Sequence, residues 1–132
     1  MDISIQVNQA GPATSQGLIR NHEVMIDRPE SKGGADKGAM GGELLLASLG
    51  GCFSSNLLAA ITAREAAISN VNITVTGTLD GSPASFTAID MKVAAEHDDA
   101  ELLEKLITIS ERSCIVANTL KDSVKLTIGP AS

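Results

Sequence analysis

The stretch from about Glu43 to Glu65 constrains this chain more than any other, because its leucines, alanines, Phe53 and Ile61 leave few polar positions on any side of a helix. A surface helix keeps one polar face for water, whereas a helix that is apolar on most of its circumference must be surrounded by protein or by lipid. Lipid is the poorer fit. Ser48, Ser54, Ser55 and Asn56 interrupt the run, and a spanning helix needs about 20 predominantly apolar residues. A chain of 132 residues has little material of its own to wrap such a helix, so we expect burial against a second copy, as a homodimer, and no membrane partner.

The same helix carries Gly50 and Gly51 directly before Cys52, where ordinary helix composition would put alanine or leucine. Each glycine costs a helix roughly 1 kcal/mol relative to alanine, so the pair serves something other than helix stability. Close approach of backbone beside a thiol is the candidate. The second of the two cysteines, Cys114, lies where another amphipathic stretch stops, just before Asn118-Thr119.

Around these landmarks the periodicity reads as α+β. Ile3, Ile5 and Val7 alternate with polar residues, Ala10-Gly11-Pro12-Ala13 turns the chain, and Val24 and Ile26 resume the alternation, predicting an N-terminal antiparallel strand group. Five glycines between Ser31 and Gly42 predict a crossing loop rather than a regular element. Val71, Ile73, Val75 and Leu79, the turn Asp80-Gly81-Ser82-Pro83, and then Ile89, Met91, Val93 and Ala95 predict a β-hairpin with one buried face. Asp98 with Glu101 three residues on suggests a capping box, followed by a helix with the stripe Leu102, Leu103, Leu106, Ile107 and Ile109, ending near Ser113. Ile115 to Leu120 suggests a helical turn with Asn118-Thr119 as a cap, and Val124, Leu126 and Ile128 a last strand. The length suits one domain, residues 1–132, with a helix packed on antiparallel sheet.

Charge and composition exclude some partners. A net charge of −6, no Tyr, no Trp and only two Phe argue against nucleic acid, which asks for basic surface and aromatic platforms. Met1 to Ile5 alternates like a strand and lacks the basic start and apolar core of a leader, so a cytoplasmic location is expected. In a reducing compartment, two cysteines far apart in sequence read as free, catalytic or transiently paired thiols. His22 and His97 have no companion at metal-ligand spacing, and no Gly-Lys-Ser/Thr follows the glycine loop, so neither metal nor phosphate-bearing cofactor is expected.

The run from Gly33-Gly34-Ala35 through Met40-Gly41-Gly42-Glu43-Leu44-Leu45 to Gly50-Gly51-Cys52, followed some sixty residues later by Glu111-Arg112-Ser113-Cys114-Ile115-Val116-Ala117-Asn118-Thr119-Leu120, resembles the OsmC/Ohr family. The resemblance implies an intertwined homodimer whose antiparallel sheets wrap two central helices, with active sites at the subunit interface. It also implies a thiol peroxidase acting on organic hydroperoxides, in which Cys52 matches the attacking thiol and Cys114 the resolving one. The reductant implied is a small dithiol, a lipoyl-bearing protein or a thioredoxin-like protein.

That chemistry makes a physical demand: Cys52 must ionise near neutral pH. It sits nearly three turns into the helix, beyond the reach of the N-terminal dipole, so the resemblance looks to an arginine from the first strand region, held by a glutamate near the helix start. The turn from Ala10 to Gln16 holds no basic residue, which leaves Arg20 and Arg28 as candidates for the counter-charge and Glu43 as the carboxylate. Glu43 is nine residues before Cys52, roughly opposite it on an ideal helix, and is equally a first-turn carboxylate favoured by the dipole. The plainer readings are that both cysteines are small packed hydrophobes and that Arg28, before Pro29, is simply solvated. The competing function is a dimer that binds a small apolar ligand or serves as a thiol redox sensor.

Overall fold

Three short strands open the computed structural model, which describes residues 1–122, 126–128 and 130–131. The chain divides into two units, Met1–Leu45 and Leu46–Ser132.

In the first unit, β1 (Gln6–Gln9), β2 (Ser15–Ile19) and β3 (His22–Ile26) form an antiparallel meander in that order. The strand group is as expected, with two differences. β1 starts at Gln6, so that of the alternating Ile3, Ile5 and Val7 only Val7 lies in it, and the central strand is β2, whose Ser-Gln-Gly-Leu-Ile has no period of two to announce it. After β3 the chain makes a 3-10 turn at Glu30–Lys32 and doubles back, so that Ile26 bridges Ala39 and the Asp27 amide donates to the Ala39 carbonyl at 3.1 Å. Here the glycines are required: a Cβ on Gly34 would run into the Arg28 carbonyl, and one on Gly38 into the Met25 carbonyl.

The loop is organised by Asp27, which is 3% exposed. Its carboxylate accepts from the Thr14 hydroxyl at 2.9 Å and from the amides of Arg28, Ala35 and Lys37 at 2.7, 3.3 and 3.2 Å. Burial pushes its pKa up, and the hydrogen bonds from Arg28, Thr14, Lys37 and Ala35 outweigh that, holding the carboxyl below its ordinary value.

Helix α1 (Gly41–Ala63) starts two residues before the expected Glu43. It is long and apolar enough to cross a membrane by length and composition, yet Leu49, Phe53 and Leu57 form the centre of the second unit's core. With them pack Ile68, Leu103, Leu106, Cys114 and Ala117. Leu58, on the same helix, remains 50% exposed.

Strands β4 (Ile68–Asp80) and β5 (Ser85–His97) pair antiparallel, with Ile73 opposite Val93 and Val75 opposite Met91. The predicted face holds for Val71, Ile73 and Val75 and for Ile89, Met91, Val93 and Ala95, all half-buried against the core. Leu79 departs from it. It lies at the hairpin end of β4, one residue before Asp80, and is 62% exposed, while the register shift beside it leaves Thr87 of β5 without a register partner.

Helix α2 (Ala100–Arg112) is capped by Asp99, whose carboxylate accepts from the Leu102 amide at 3.1 Å. The cap is therefore not Asp98, and Glu101, two residues after Asp99, is out of register for a capping box. The expected helical turn after Cys114 is α3 (Ile115–Lys121). Of the expected last strand, Val124 lies outside the described residues, and Leu126 and Ile128 are exposed and not in a strand. Among the described residues the architecture is α+β, two small antiparallel sheets with three helices.

Candidate functional site

The break between α2 and α3 brings the two cysteines together. In a continuous helix the Cys114 amide would donate to the Ser110 carbonyl. It donates instead to the Glu111 carbonyl at 3.1 Å, a tightened last turn that ends α2 and leaves Cys114 in extended conformation (φ −77°, ψ 113°) as the N-cap of α3. Its Sγ accepts from the Ala117 amide at 3.4 Å, a weak version of the bond that a serine cap would make. Two asparagine amides hold the break: Asn118 Nδ2 donates to the Arg112 carbonyl at 3.1 Å, and Asn56 Nδ2 on α1 donates to the Ser110 carbonyl at 3.2 Å.

Cys114 is fully buried and Cys52, across from it on α1, is half-buried. Both are free thiols, and Cys52 packs against the buried cluster to which Cys114 belongs. Their environments push them in opposite directions. The Val116 amide, against the opposing effect of burial and with help from the Cys114 thiol and the Ile115 amide, brings the Cys52 pKa below its ordinary value. Burial raises that of Cys114, and the neighbouring Cys52 raises it further as hydrogen-bond acceptor and as a negative charge, against the lowering effect of the Ala117 and Val116 amides. Ionisation is thus easier at Cys52 than at Cys114. A thiolate–thiol pair of this kind can attack an electrophile with one sulfur and close onto it with the other.

The other candidates fall in the first unit. Arg20 occupies the two-residue turn between β2 and β3 in left-handed conformation (φ 54°), with its side chain exposed. Arg28 has an exposed side chain, and its backbone amide serves the Asp27 carboxylate. Glu43 Oε1 accepts from the Met40 amide at 2.8 Å, the reach-back of a helix-capping glutamate. Among the described residues of this chain, Glu43 forms no ion pair with Arg20 or Arg28. The sequence reading missed Asn56, treating it only as an interruption of an apolar run. Its signal was its place one turn after Cys52, on the same helix face.

The profile of the OsmC-like protein family matches residues 34–129. No curated protein matches the sequence. Among solved structures, a hypothetical protein from Aquifex aeolicus is 19% identical with a TM-score of 0.78, covering 92% of this chain and 88% of that one. The OsmC-like protein of Mycoplasma pneumoniae is 17% identical with a TM-score of 0.71 and the same two coverages. An organic hydroperoxide resistance protein from Elizabethkingia anophelis, crystallised with thiocyanate bound, is 20% identical with a TM-score of 0.65, covering 92% of this chain and 90% of that one. At such identities the likeness concerns the fold.

Proposed function

Since the chain belongs to the OsmC-like family, we propose that it is a homodimeric thiol peroxidase that reduces organic hydroperoxides by a two-cysteine cycle. The observation that carries this reading is the break between α2 and α3, which sets the buried Cys114 as the N-cap of α3 in the cluster against which Cys52 packs, with the Cys52 pKa lowered and that of Cys114 raised. The name of the Elizabethkingia relative, an organic hydroperoxide resistance protein, points the same way. The profile match runs across the boundary at Leu45, which favours one domain, and the exposed Leu58 on an otherwise apolar α1 offers a second copy something to cover.

In the cycle, the Cys52 thiolate attacks the distal peroxide oxygen, the O–O bond breaks, and the alkoxide takes a proton to leave as the alcohol. Cys52 is then a sulfenic acid. The Cys114 sulfur attacks the Cys52 sulfur, giving up its proton as hydroxide departs from Cys52, so that water and a disulfide form. A dithiol, free or carried on a lipoyl or thioredoxin-like protein, returns two electrons and two protons. Buried apolar neighbours such as Phe53 favour an organic peroxide over hydrogen peroxide. Arg20 and Arg28 are the proposed counter-charges to the thiolate, with Glu43 as the proposed carboxylate partner, and a reducing cytoplasm suits the dithiol.

The test is consumption of cumene hydroperoxide with excess dihydrolipoamide. Turnover should vanish in Cys52→Ser, and Cys114→Ser should accumulate a sulfenic acid that a dimedone probe captures. Turnover by the native chain no faster than that of the dithiol alone would sink the peroxidase reading and favour a ligand-binding or redox-sensing dimer.

A further inference from the structure

We propose that Asn56 is a positioning residue for the thiol pair, one that holds the α2–α3 break open so that Cys114 faces Cys52. The inference rests on the reading of these two cysteines as reaction partners. Asn56 lies four residues after Cys52 on α1, so the side chain that reaches the break and the sulfur that reacts across it share one helix face. Its Nδ2 donates at 3.2 Å to the Ser110 carbonyl, the acceptor that the Cys114 amide abandons when it turns to Glu111. The surroundings are largely closed to water: Ser110 is 1% exposed, and its hydroxyl is committed to the Leu106 carbonyl at 2.7 Å. A buried carbonyl without a partner is unfavourable, so some donor must serve it.

Two donors compete for that oxygen. With Asn56 in place the carbonyl is satisfied and the Cys114 amide is free to make its shorter bond to Glu111. Without Asn56 the nearest remedy is for the Cys114 amide to return to Ser110, which extends α2 by one residue, takes Cys114 out of its N-cap conformation and moves Sγ away from Cys52. The amides of Ile115 and Val116, which lower the Cys52 pKa, belong to the same segment and would shift with it. Asn56 therefore controls both the approach of the second thiol and the ionisation of the first, while touching neither the peroxide nor either sulfur. Asn118, bonded to the Arg112 carbonyl, steadies α3 from the other side and cannot serve Ser110 at the same time.

The experiment separates this idea from the peroxidase reading by using diamide, whose N=N bond takes up two electrons and two protons as the two thiols become a disulfide. The native chain, Asn56→Ala, Asn56→Leu and Asn56→Gln are reduced and treated with diamide, and closure of the Cys52–Cys114 bond is followed by mass shift. The pH dependence of Cys52 alkylation by iodoacetamide is measured alongside. Asn56→Leu keeps the approximate shape and loses the donor without adding a charge near Cys52, so it carries the test if Asn56→Ala does not fold. Loss of the donor should slow closure about tenfold and move the alkylation midpoint to higher pH, with Asn56→Gln recovering most of both. Recovery by Asn56→Gln separates loss of the donor from general loosening of the fold, which would also return the midpoint toward that of a free cysteine. Native closure rates and an unmoved midpoint in Asn56→Leu would overturn the inference. Failure of the native chain to form the disulfide would overturn the thiol-pair reading, and the inference with it.

Discussion

The two glycines before Cys52 should respond oppositely to the same substitution. A Cβ built on Gly50 would lie 3.0 Å from Val75 Cγ2, whereas one on Gly51 would meet nothing within 4 Å. Replacing either by alanine removes a helix penalty of roughly 1 kcal/mol. For Gly51→Ala that gain stands alone, and with an unfolding entropy of about 2.1 cal/mol/K per residue over this length it corresponds to a Tm increase of about 3–4 °C. For Gly50→Ala the gain meets an overpacked contact between α1 and β4, and overpacking costs about 1–3 kcal/mol, so the net change runs from about zero to a loss of about 2 kcal/mol, or up to about 7 °C. Val75→Ala should relieve the contact. In that background, Gly50→Ala should recover the helix gain, giving a coupling of 1 kcal/mol or more in a double-mutant cycle. The assay is urea and thermal unfolding at one fixed protein concentration. Equal shifts for the two glycines, or a Gly50→Ala effect independent of residue 75, would refute the claim that Gly50 serves helix–strand approach. A destabilising Gly51→Ala whose effect grows on dilution would place a second copy against that face.

Alkylation of reduced protein by iodoacetamide, mapped by peptide, should modify Cys52 first and with a midpoint below that of a free cysteine, since amides and the Cys114 thiol favour its anion, while Cys114 lags with a raised midpoint; the reverse order would contradict the assigned tuning. Asp27→Asn should destabilise the first unit at neutral pH, because an amide group brings donors to a site already filled by donors. In the native chain the Asp27 contribution should be complete above the ordinary aspartate pKa of about 3.9 and be lost as pH falls through the lowered folded value. Hydrogen exchange of the Ala35 and Lys37 amides reads both effects, and unchanged protection in Asp27→Asn would remove Asp27 from its organising place. At the start of α2, Asp99→Ala should cost about 1 kcal/mol and Asp98→Ala within about 0.5 kcal/mol, and equal effects in urea melts would restore Asp98 as a capping candidate.

What could be read in the sequence follows from how each feature is encoded. Val71 to Val75 and Ile89 to Ala95 were legible because a half-buried hairpin writes its buried face at every second letter, and Leu103 and Leu106 because a packed helix writes its stripe at three and four. Ser15–Ile19 wrote neither. It is a central strand because β1 and β3 pair with it, a fact about its neighbours that its own residues do not state. The Asp98 misreading, one residue early, was a local ambiguity between adjacent aspartates that only the path of the backbone resolves. The site divides the same way. Cys52 and Cys114 are conspicuous as side chains, and so a motif could pair them. The amides of Val116 and Ile115 that favour the Cys52 anion are backbone groups, available at every residue except proline, and their relevance comes only from where the α2–α3 break puts them. The break in turn depends on a contact between residues 56 and 110 that no local periodicity announces. The expectation that a cation must lower the Cys52 pKa came from considering charged side chains and the start of α1 alone. A second source of positive potential, amides freed at the start of a different helix, lies close to the sulfur without any basic residue in the sequence to mark it. The proposed arginines would therefore add to a lowering of the Cys52 pKa that the backbone amides already provide, so charge removal at Arg20 or Arg28 should leave Cys52 more acidic than a free cysteine.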